Sequence, residues 1–199
     1  MHVVSSSKFA LKAQQAGCDA IVAEGFEAGG HNGREETTTM VLIPAVCAAV
    51  NIPVLAAGGI ATGRQMLASM VLGAEGVQVG SRFVASNEAS SHENFKNLVI
   101  NSGEGDTHLS LKQLTPVRLL KNDFFNLVQQ AENKGASTDE LQKLLGRGRA
   151  KLGMFEGNLA EGELEIGQVS AIIKTIKPAA EIVQEMYKEY EAALKQPVK

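Results

Sequence analysis

The chain has 199 residues, a net charge of −3 at pH 7, a hydrophobic fraction of 44% and an aromatic fraction of 5%. This length suits one domain or a domain with an appendage. The composition is that of a soluble globular protein, and it lacks the basic surface that a nucleic-acid partner requires. No apolar run approaches the roughly 18 residues of a membrane span, and no secretory signal opens the chain. We therefore expect a cytoplasmic protein that binds neither nucleic acid nor membranes.

The cysteine content argues against cross-links and metal sites. The two cysteines, Cys18 and Cys47, are too few and lie in settings too apolar for a disulfide framework or a zinc site. We expect both to be buried free thiols. The sequence also contains no histidine and carboxylate cluster with metal-ligand spacing, so no metal is predicted.

Short apolar segments alternate with helical segments over residues 1–85. Strands are predicted at residues 2–5, 19–24, 53–57 and 76–80, and the third intervening helix opens with a T-x-x-Q capping box. Short apolar strands separated by helices predict a parallel sheet covered by those helices. The similar segments QQAGCDAIVAEG and MVLGAEGVQVGS indicate a repeated βα module, which favours a barrel or part of one.

Residues 86–199 differ from the first part because their pattern is amphipathic and helical. A capping box at Ser137 and Glu140 predicts one helix start. Another helix is predicted to begin at Pro178 and to place on one face Ile182, Val183, Met186, Tyr187 and Tyr190. We interpret residues 86–199 as a helical cap and C-terminal extension, without strands, packed on residues 1–85.

Three glycine-rich turns follow predicted strands, at residues 25–33, at residues 58–63, and at Gly80 with Ser81. In α/β folds, ligands bind at the carboxyl ends of the strands. Glycine lets backbone N–H groups approach an anion, and the helix that follows adds a favourable dipole. The turns AAGGIATG and VQVGSRF therefore predict a phosphate site. The alternative is that these glycines only make tight turns.

His31 is the strongest candidate for proton transfer. It lies in EAGGHNG, where the neighbouring glycines offer no side chains for it to pack against. Imidazole groups exchange protons near neutral pH. Glu24 and Glu27 could orient His31 or bind a ligand hydroxyl, or be ordinary loop carboxylates. Arg82 could neutralise a phosphate or tie its loop to a carboxylate.

Three segments carry a family resemblance. In this order and spacing, EGFEAGGHNG, PVLAAGGIATGRQM and LGAEGVQVGSRFVASNEA resemble the C-terminal half of the nitronate monooxygenase family, formerly called 2-nitropropane dioxygenases. That family includes the flavin-dependent enoyl-acyl-carrier-protein reductase II. The later segment FEGNLAEGELEIGQVSAII resembles the family's C-terminal part. The resemblance implies the C-terminal half of an FMN-binding TIM (β/α)8 barrel, with about four parallel strands, followed by a helical extension.

The resemblance also implies roles for individual residues. It implies that the FMN phosphate is held by the turns that contain Gly58, Gly59, Gln78, Val79, Gly80 and Ser81. The loop with Gly29 and Gly30 would lie against the flavin, and His31 would transfer protons beside it. The flavin itself would supply the redox chemistry.

Three functions follow as expectations. The first is an FMN-dependent oxidoreductase that oxidises alkyl nitronates with oxygen. The second is a reductase that takes hydride from NAD(P)H and delivers it to an enoyl thioester.

The third is a catalytically silent chain that pairs with another. Family members carry four further βα units before the first strand found here. A half-barrel would expose two sheet edges and an apolar interior face. Besides a small-molecule substrate, the expected partners are therefore a second copy or a complementary barrel half.

Overall fold

A computed structural model describes residues 1–196 of the chain. The strands are β1 (His2–Val4), β2 (Ile21–Glu24), β3 (Gly30–His31), β4 (Val54–Ala57), β5 (Gly76–Gln78), β6 (Thr107–Ser110) and β7 (Val117–Leu120). The helices are α1 (Ser7–Gln15), α2 (Thr39–Ala49), α3 (Gly63–Val71), α4 (Ser81–Val84), α5 (Glu93–Asn101), α6 (Asp123–Asn133), α7 (Thr138–Leu145) and α8 (Ala179–Lys195). A π-helical turn spans Lys151–Phe155, and a 3-10 turn spans Gln168–Ile172.

The first sheet is parallel and has the strand order β1-β2-β4-β5. Its register places Val22 beside Val3 on one side and beside Leu55 on the other. The predicted parallel sheet is thus confirmed, and its carboxyl ends lie along one edge, next to the glycine-rich turns. Within residues 1–196, β1 and β5 each pair with a single strand, so both outer edges of this sheet are open.

Helices α1, α2 and α8 supply much of the core against the parallel sheet. The helix predicted from the capping box at Thr62 and Gln65 is α3, and both hydrogen bonds of that box are present. Helix α8 packs closely on α3, because a Cβ at Gly63 would lie 2.2 Å from the carbonyl oxygen of Met186. Ile182 and Met186 of α8 join the core cluster.

The predicted apolar face of the last helix is partly wrong. Ile182 and Met186 are buried, but Val183 and Tyr187 are each 56% exposed. The helix contacts the core through a narrower stripe that includes Ala193 instead.

The second sheet is antiparallel, with the order β3-β7-β6, and the sequence analysis did not predict it. The expectation that residues 86–199 contain no strand is therefore wrong for β6 and β7. Each of these strands has four residues, and all four residues of β7 are buried, so its sequence VRLL shows no alternation. A short strand buried on both faces cannot be told from a helical segment by periodicity.

Both cysteines are free thiols, as predicted, but neither is fully buried. Cys18 and Cys47 are half-buried and pack against the core beneath the parallel sheet. Burial and the charge of Glu75 raise the pKa of the Cys47 thiol, whose backbone hydrogen bond opposes the change. Cys47 is therefore a packing residue with little thiolate character.

Candidate functional site

The turns that follow β2, β4 and β5 meet around one cavity of about 270 Å³, which we call the glycine cavity. Parallel strands end at the same edge, so turns that are distant in sequence become neighbours there. The cavity wall includes six of the predicted cofactor-binding residues: Gly29, Gly58, Gly59, Gln78, Gly80 and Ser81. The other three predicted site residues, Gly30, Val79 and His31, do not line it.

The turn after β4 needs glycine for its backbone conformation. Gly58 and Gly59 have φ values of 88° and 72°, in the left-handed region that L side chains rarely adopt. A Cβ at Gly58 would also lie 2.7 Å from the carbonyl oxygen of Gly25. These glycines therefore allow the β4 turn to lie directly against the β2 turn and to present its backbone to the cavity.

Backbone N–H groups are the main polar feature of this wall. Within residues 1–196, no protein acceptor receives a hydrogen bond from the backbone amides of Gly59, Ile60, Gly80 and Ser81. All four residues line the glycine cavity. Ile60 is buried, Gly59 and Ser81 are half-buried, and Gly80 is exposed. Buried or half-buried backbone N–H groups are nearly always paired, so a ligand with negative oxygens would satisfy the donors of Gly59, Ile60 and Ser81 and could also accept from Gly80.

The N-terminus of α3, which follows the β4 turn, contributes less to anion binding than the sequence predicts. The amide of Gly63, at the start of α3, donates to Glu189 Oε2 of α8 at 2.8 Å. The side chain of Thr62 caps the amide of Gln65. Because the protein already uses donors at this helix start, anion binding at the site depends chiefly on the turns.

The loop before β3 is packed against residues 165–167. A Cβ at Gly29 would lie 2.4 Å from the carbonyl carbon of Ile166, and one at Gly30 would lie 2.6 Å from Glu165 Oε2. The amide of Gly167 donates to Ser81 Oγ at 3.0 Å, which leaves the hydroxyl proton of Ser81 free to donate. Glycine is therefore needed at positions 29 and 30 because a side chain there would overlap the segment of residues 165–167.

The two loop glutamates play different roles. Glu27 accepts hydrogen bonds from the backbone amide and the hydroxyl of Thr39, at 2.9 Å to each from Oε2, and so it fixes the start of α2. Glu24 lines the glycine cavity, where burial raises the pKa of its carboxyl. Of this pair, only Glu24 is positioned to meet a ligand.

Arg82 and Val79 are directed away from the glycine cavity. The Arg82 guanidinium is buried and donates to the carbonyl oxygens of Ala85 and Thr175, at 3.3 and 3.1 Å. Arg82 therefore ties the loop to backbone, no ion pair among residues 1–196 joins it to a carboxylate, and it does not border the glycine cavity. The side chain of Val79 packs against the core cluster of the parallel sheet.

His31 borders a different cavity, of about 260 Å³, which we call the histidine cavity. Its imidazole is exposed and sits on β3 opposite Val117 of β7. The residues that line the histidine cavity are His31, Leu111, Leu114, Thr115, Val117, Gln142, Leu145 and Glu163. Four of these residues are aliphatic and four, including His31, are polar.

Glu163 and Glu165 are site residues that the sequence analysis missed. Leu119 of β7 pairs with Glu165, in line with the pairing of Val117 with His31, so Glu165 and His31 project from the same face of the sheet. Glu163 lies two residues earlier and shares that face. The available signal was the alternation in ELEI, where Leu164 and Ile166 are buried in the core.

The two carboxyl groups occupy an unusual electrostatic setting. The pKa of Glu163 is raised to about 7, chiefly by burial and also by the charge of Glu165, while the charge of Arg149 opposes the change. Burial also raises the pKa of Glu165, and the charge of His31 opposes it. Glu165 lines the glycine cavity, while Glu163 lines the histidine cavity. Glu165 therefore lies between the glycine cavity and His31.

No group of three or more metal-ligating side chains occurs among residues 1–196. In the same part of the chain, no helix is both long enough and apolar enough to cross a membrane.

The chain is similar in sequence to nitronate monooxygenases. The sequence model of the nitronate monooxygenase family matches residues 1–189. A probable nitronate monooxygenase of Staphylococcus saprophyticus is 38% identical over 141 residues, which cover 65% of this chain and 39% of that protein. One from Staphylococcus aureus strain JH9 is 47% identical over 106 residues, 49% of this chain and 30% of that protein. The matches thus cover about a third of the length of these relatives.

Two solved structures resemble the whole described fold. FabK from Thermotoga maritima has a TM-score of 0.92 and 39% sequence identity, and the match covers 98% of this chain and 61% of FabK. The nitroalkane oxidase of Streptomyces ansochromogenes has a TM-score of 0.78 and 25% identity, covering 98% of this chain and 58% of the oxidase. The parallel strands and their helices are the C-terminal half of a TIM barrel, and a C-terminal extension follows them.

Proposed function

Because this chain belongs to the nitronate monooxygenase family, we propose that it is the phosphate-binding part of an FMN-dependent oxidoreductase. The observation that carries the proposal is the set of unpaired backbone amides at the turns after β4 and β5. Such amides bind a phosphate group without a dedicated lysine or arginine, and Arg82 is engaged elsewhere. The residues present therefore fit the phosphate end of FMN.

The proposed holding residues are those of the two turns. Gly58, Gly59 and Gly80 would contribute backbone at the cavity wall, and Ser81 would add its hydroxyl proton. Gln78 borders the same cavity and offers a side-chain amide. When bound, the flavin supplies the electron transfer, and the protein contributes binding, orientation and proton handling.

His31 is the proposed acid or base of the reaction. Its imidazole is exposed at the histidine cavity, and Glu165 separates it from the glycine cavity. A substrate held in the histidine cavity would meet His31 directly, while the cofactor would lie beyond Glu165. In the nitronate monooxygenase reaction, His31 would remove a proton from a neutral nitroalkane before oxidation by oxygen.

The first experiment measures cofactor binding. The chain is mixed with FMN, separated from free flavin, and examined by its absorbance at flavin wavelengths. We expect a yellow protein, and a colourless one would contradict the proposal. Gly80→Val adds bulk at the cavity wall where a Cβ meets no other atom, so we expect it to weaken FMN binding at least tenfold. Gly103→Val, at a glycine that does not line the cavity and where a Cβ makes only an ordinary contact, is the matched control.

The second experiment addresses His31. In the flavin-loaded protein, His31→Ala should leave FMN bound and lower the turnover of a neutral nitroalkane by about 10² to 10⁴. Turnover of the preformed nitronate anion should fall much less, because that substrate has already lost its proton. Loss of the flavin in this variant would instead assign His31 a structural role.

A second candidate function is supported by the structural comparison. The match to FabK is closer than the match to the nitroalkane oxidase, in TM-score and in identity. On this alternative, the residues at the glycine cavity would hold FMN, and the bound group would supply hydride transfer from NAD(P)H to an enoyl thioester. Oxygen uptake with an alkyl nitronate favours the monooxygenase, whereas NAD(P)H oxidation that requires an enoyl thioester favours the reductase.

The proposed partner is whatever covers the open edges of the parallel sheet. Within residues 1–196, β1 and β5 lack a second neighbour, and Val3 of β1 is 46% exposed. A complementary barrel half or a second copy of the chain would pair with these edges. Size-exclusion chromatography with light scattering tests this, and a stable monomer at all concentrations would contradict pairing between copies.

A further inference from the structure

A further cavity borders the turns after β4 and β5. It has a volume of about 180 Å³ and is lined by Arg82 of α4, residues 172–175 and one side of α8, and we call it the arginine cavity. Its wall includes Ala61 and Arg82, which directly follow Ile60 and Ser81 of the glycine cavity. The two cavities share no lining residue, so the arginine cavity is a separate space.

Arg82 presents unpaired N–H groups to the arginine cavity. The residue is 8% exposed, and its Nη1 donates to the carbonyl oxygens of Ala85 and Thr175. Within residues 1–196, its Nε and Nη2 donate to no protein acceptor. In that part of the chain, the only fully enclosed side-chain nitrogen or oxygen without a partner is Ser170 Oγ, so Nε and Nη2 are open at the cavity. Together they form the edge of a guanidinium that binds both oxygens of a carboxylate.

Two exposed glutamates of α8 border the same cavity without touching Arg82. Glu189 accepts from the amide of Gly63 through Oε2, and Glu185 pairs with Lys177 through Oε1. The second oxygen of each accepts no hydrogen bond from residues 1–196. Burial lowers the pKa of Arg82, and the charges of Glu185 and Glu189 oppose this change, so both carboxylates lie near the guanidinium. No ion pair among the described residues joins them to it, which leaves space for a ligand between them.

The charges at the arginine cavity balance but are separated. Arg82 and Lys174 contribute two positive charges, and Glu185 and Glu189 contribute two negative charges. A simple anion is repelled by the carboxylates, and a simple cation is repelled by the guanidinium and the ammonium group. A molecule that carries both charges is attracted at each end, so the charge pattern favours a zwitterion.

Size and lining restrict that zwitterion. An apolar cavity of about 150 Å³ holds a benzene molecule, so about 180 Å³ suits roughly seven non-hydrogen atoms. The apolar part of the wall consists mainly of Ile173, Ile182 and Met186, which are all buried. These features fit an α-amino acid with a short aliphatic side chain, because its two charged groups are attached to one carbon.

We propose that the arginine cavity binds a free α-amino acid with a short aliphatic side chain. Its carboxylate would accept from Nε and Nη2 of Arg82, and its ammonium group would donate to Glu185 and Glu189. This inference does not depend on the proposed function, because no residue of the arginine cavity is assigned to the flavin or to its substrate.

The test compares L-alanine with propionate, which lacks the ammonium group, and with ethylamine, which lacks the carboxylate. Each is titrated at pH 7 into the unmodified chain without flavin, and binding is followed by ¹H–¹⁵N NMR through the Nε–H signal of Arg82. We expect a saturable shift with L-alanine and at least tenfold weaker binding of each other probe, the effect of one lost hydrogen bond to a charged group. No saturable shift with L-alanine, or a smaller difference from either probe, would overturn the proposal.

Variants on α8 locate the binding, since replacing the buried Arg82 would also remove its bonds to backbone. Glu185→Gln combined with Glu189→Gln removes both negative charges at nearly constant shape. L-alanine should then bind at least tenfold more weakly, and its preference over propionate should fall below about threefold.

The matched control combines Glu181→Gln with Glu191→Gln, which change two exposed carboxylates of the same helix that do not line the cavity. It should bind L-alanine as the unmodified chain does. The dispersion of the remaining NMR signals reports whether each variant is folded. If the two double variants give the same affinities, the inference is wrong.

Discussion

The glycine and histidine cavities of this protein present different chemical groups to a ligand, backbone amides in one and side chains in the other. The glycine cavity presents backbone amides from turns whose glycines have no side chain, and the histidine cavity presents side chains from β3, β7, α7 and residue 163. The first therefore depends on conformation, whereas the second depends on burial and charge. A substitution should thus act through backbone strain in the first cavity and through solvation and protonation in the second.

The largest expected effect concerns protonation of Glu163. The pKa of its carboxyl is about 7 in the folded chain, above its ordinary value of 4.5, so folding favours the protonated form. The stability from this group is fully present below pH 4.5 and is lost as the pH rises through 7. Glu163→Gln should therefore raise the free energy of unfolding at pH 8 by up to about 3 kcal/mol.

Denaturant titrations at pH 5 and pH 8 measure this effect. The stabilisation by Glu163→Gln should be small at pH 5, and Glu161→Gln, which changes an exposed carboxylate two residues away, should show no such dependence on pH. An equal effect of Glu163→Gln at both pH values would show that its carboxyl is not buried as described.

Backbone strain in the glycine cavity should give the next largest effect. Gly58→Ala forces a side chain into the left-handed region and towards the carbonyl oxygen of Gly25, so it should cost about 2 kcal/mol of unfolding free energy. Gly80→Ala has ample space and an ordinary φ of −104°, so it should change stability by less than about 0.5 kcal/mol. Thermal or chemical denaturation of the two variants compares them, and equal losses would refute the strain argument.

Removal of the N-terminal cap of α7, beside the histidine cavity, should give a smaller loss of stability. Ser137 caps α7, the helix that contributes Gln142 and Leu145 to the cavity wall, and its hydroxyl accepts from the amide of Glu140 at 3.3 Å. Ser137→Ala should cost about 1 kcal/mol, and Ser137→Asn should restore most of it. Hydrogen exchange of the α7 amides reports the loss locally, and unchanged exchange would show that the cap contributes little.

The smallest expected effect is that of His31→Ala on folding. The imidazole is exposed, so its removal should change the free energy of unfolding by less than about 0.5 kcal/mol. A larger loss, measured by denaturant titration, would show that His31 supports β3 and is not available for a ligand. This measurement also makes the turnover experiment interpretable, since a lost activity would then not reflect unfolding.

Local chemistry explains which features could be predicted from the sequence. The capping boxes at Thr62 and Ser137 need only residues three positions apart, and both form. The parallel strands were visible because each is a short apolar segment between helices. Six of the nine predicted site residues meet at one cavity for the same reason, since their turns follow strands of one parallel sheet.

The features that were missed depend on contacts between distant segments. Strand β7 pairs with β3, more than 80 residues earlier, and Glu165 pairs with Leu119. Neither partner carries a local pattern strong enough to predict this pairing. The pairing of these distant segments places His31 at the histidine cavity and buries Glu163.

The sequence by itself determined the parallel sheet, its glycine turns and the edge where they meet, because strand periodicity and turn conformation are properties of neighbouring residues. The tertiary structure alone decided which groups surround His31. Burial, charge pairing and cavity shape arise only when residues near 31, 117 and 163 are brought together, and their free energies depend on that whole environment.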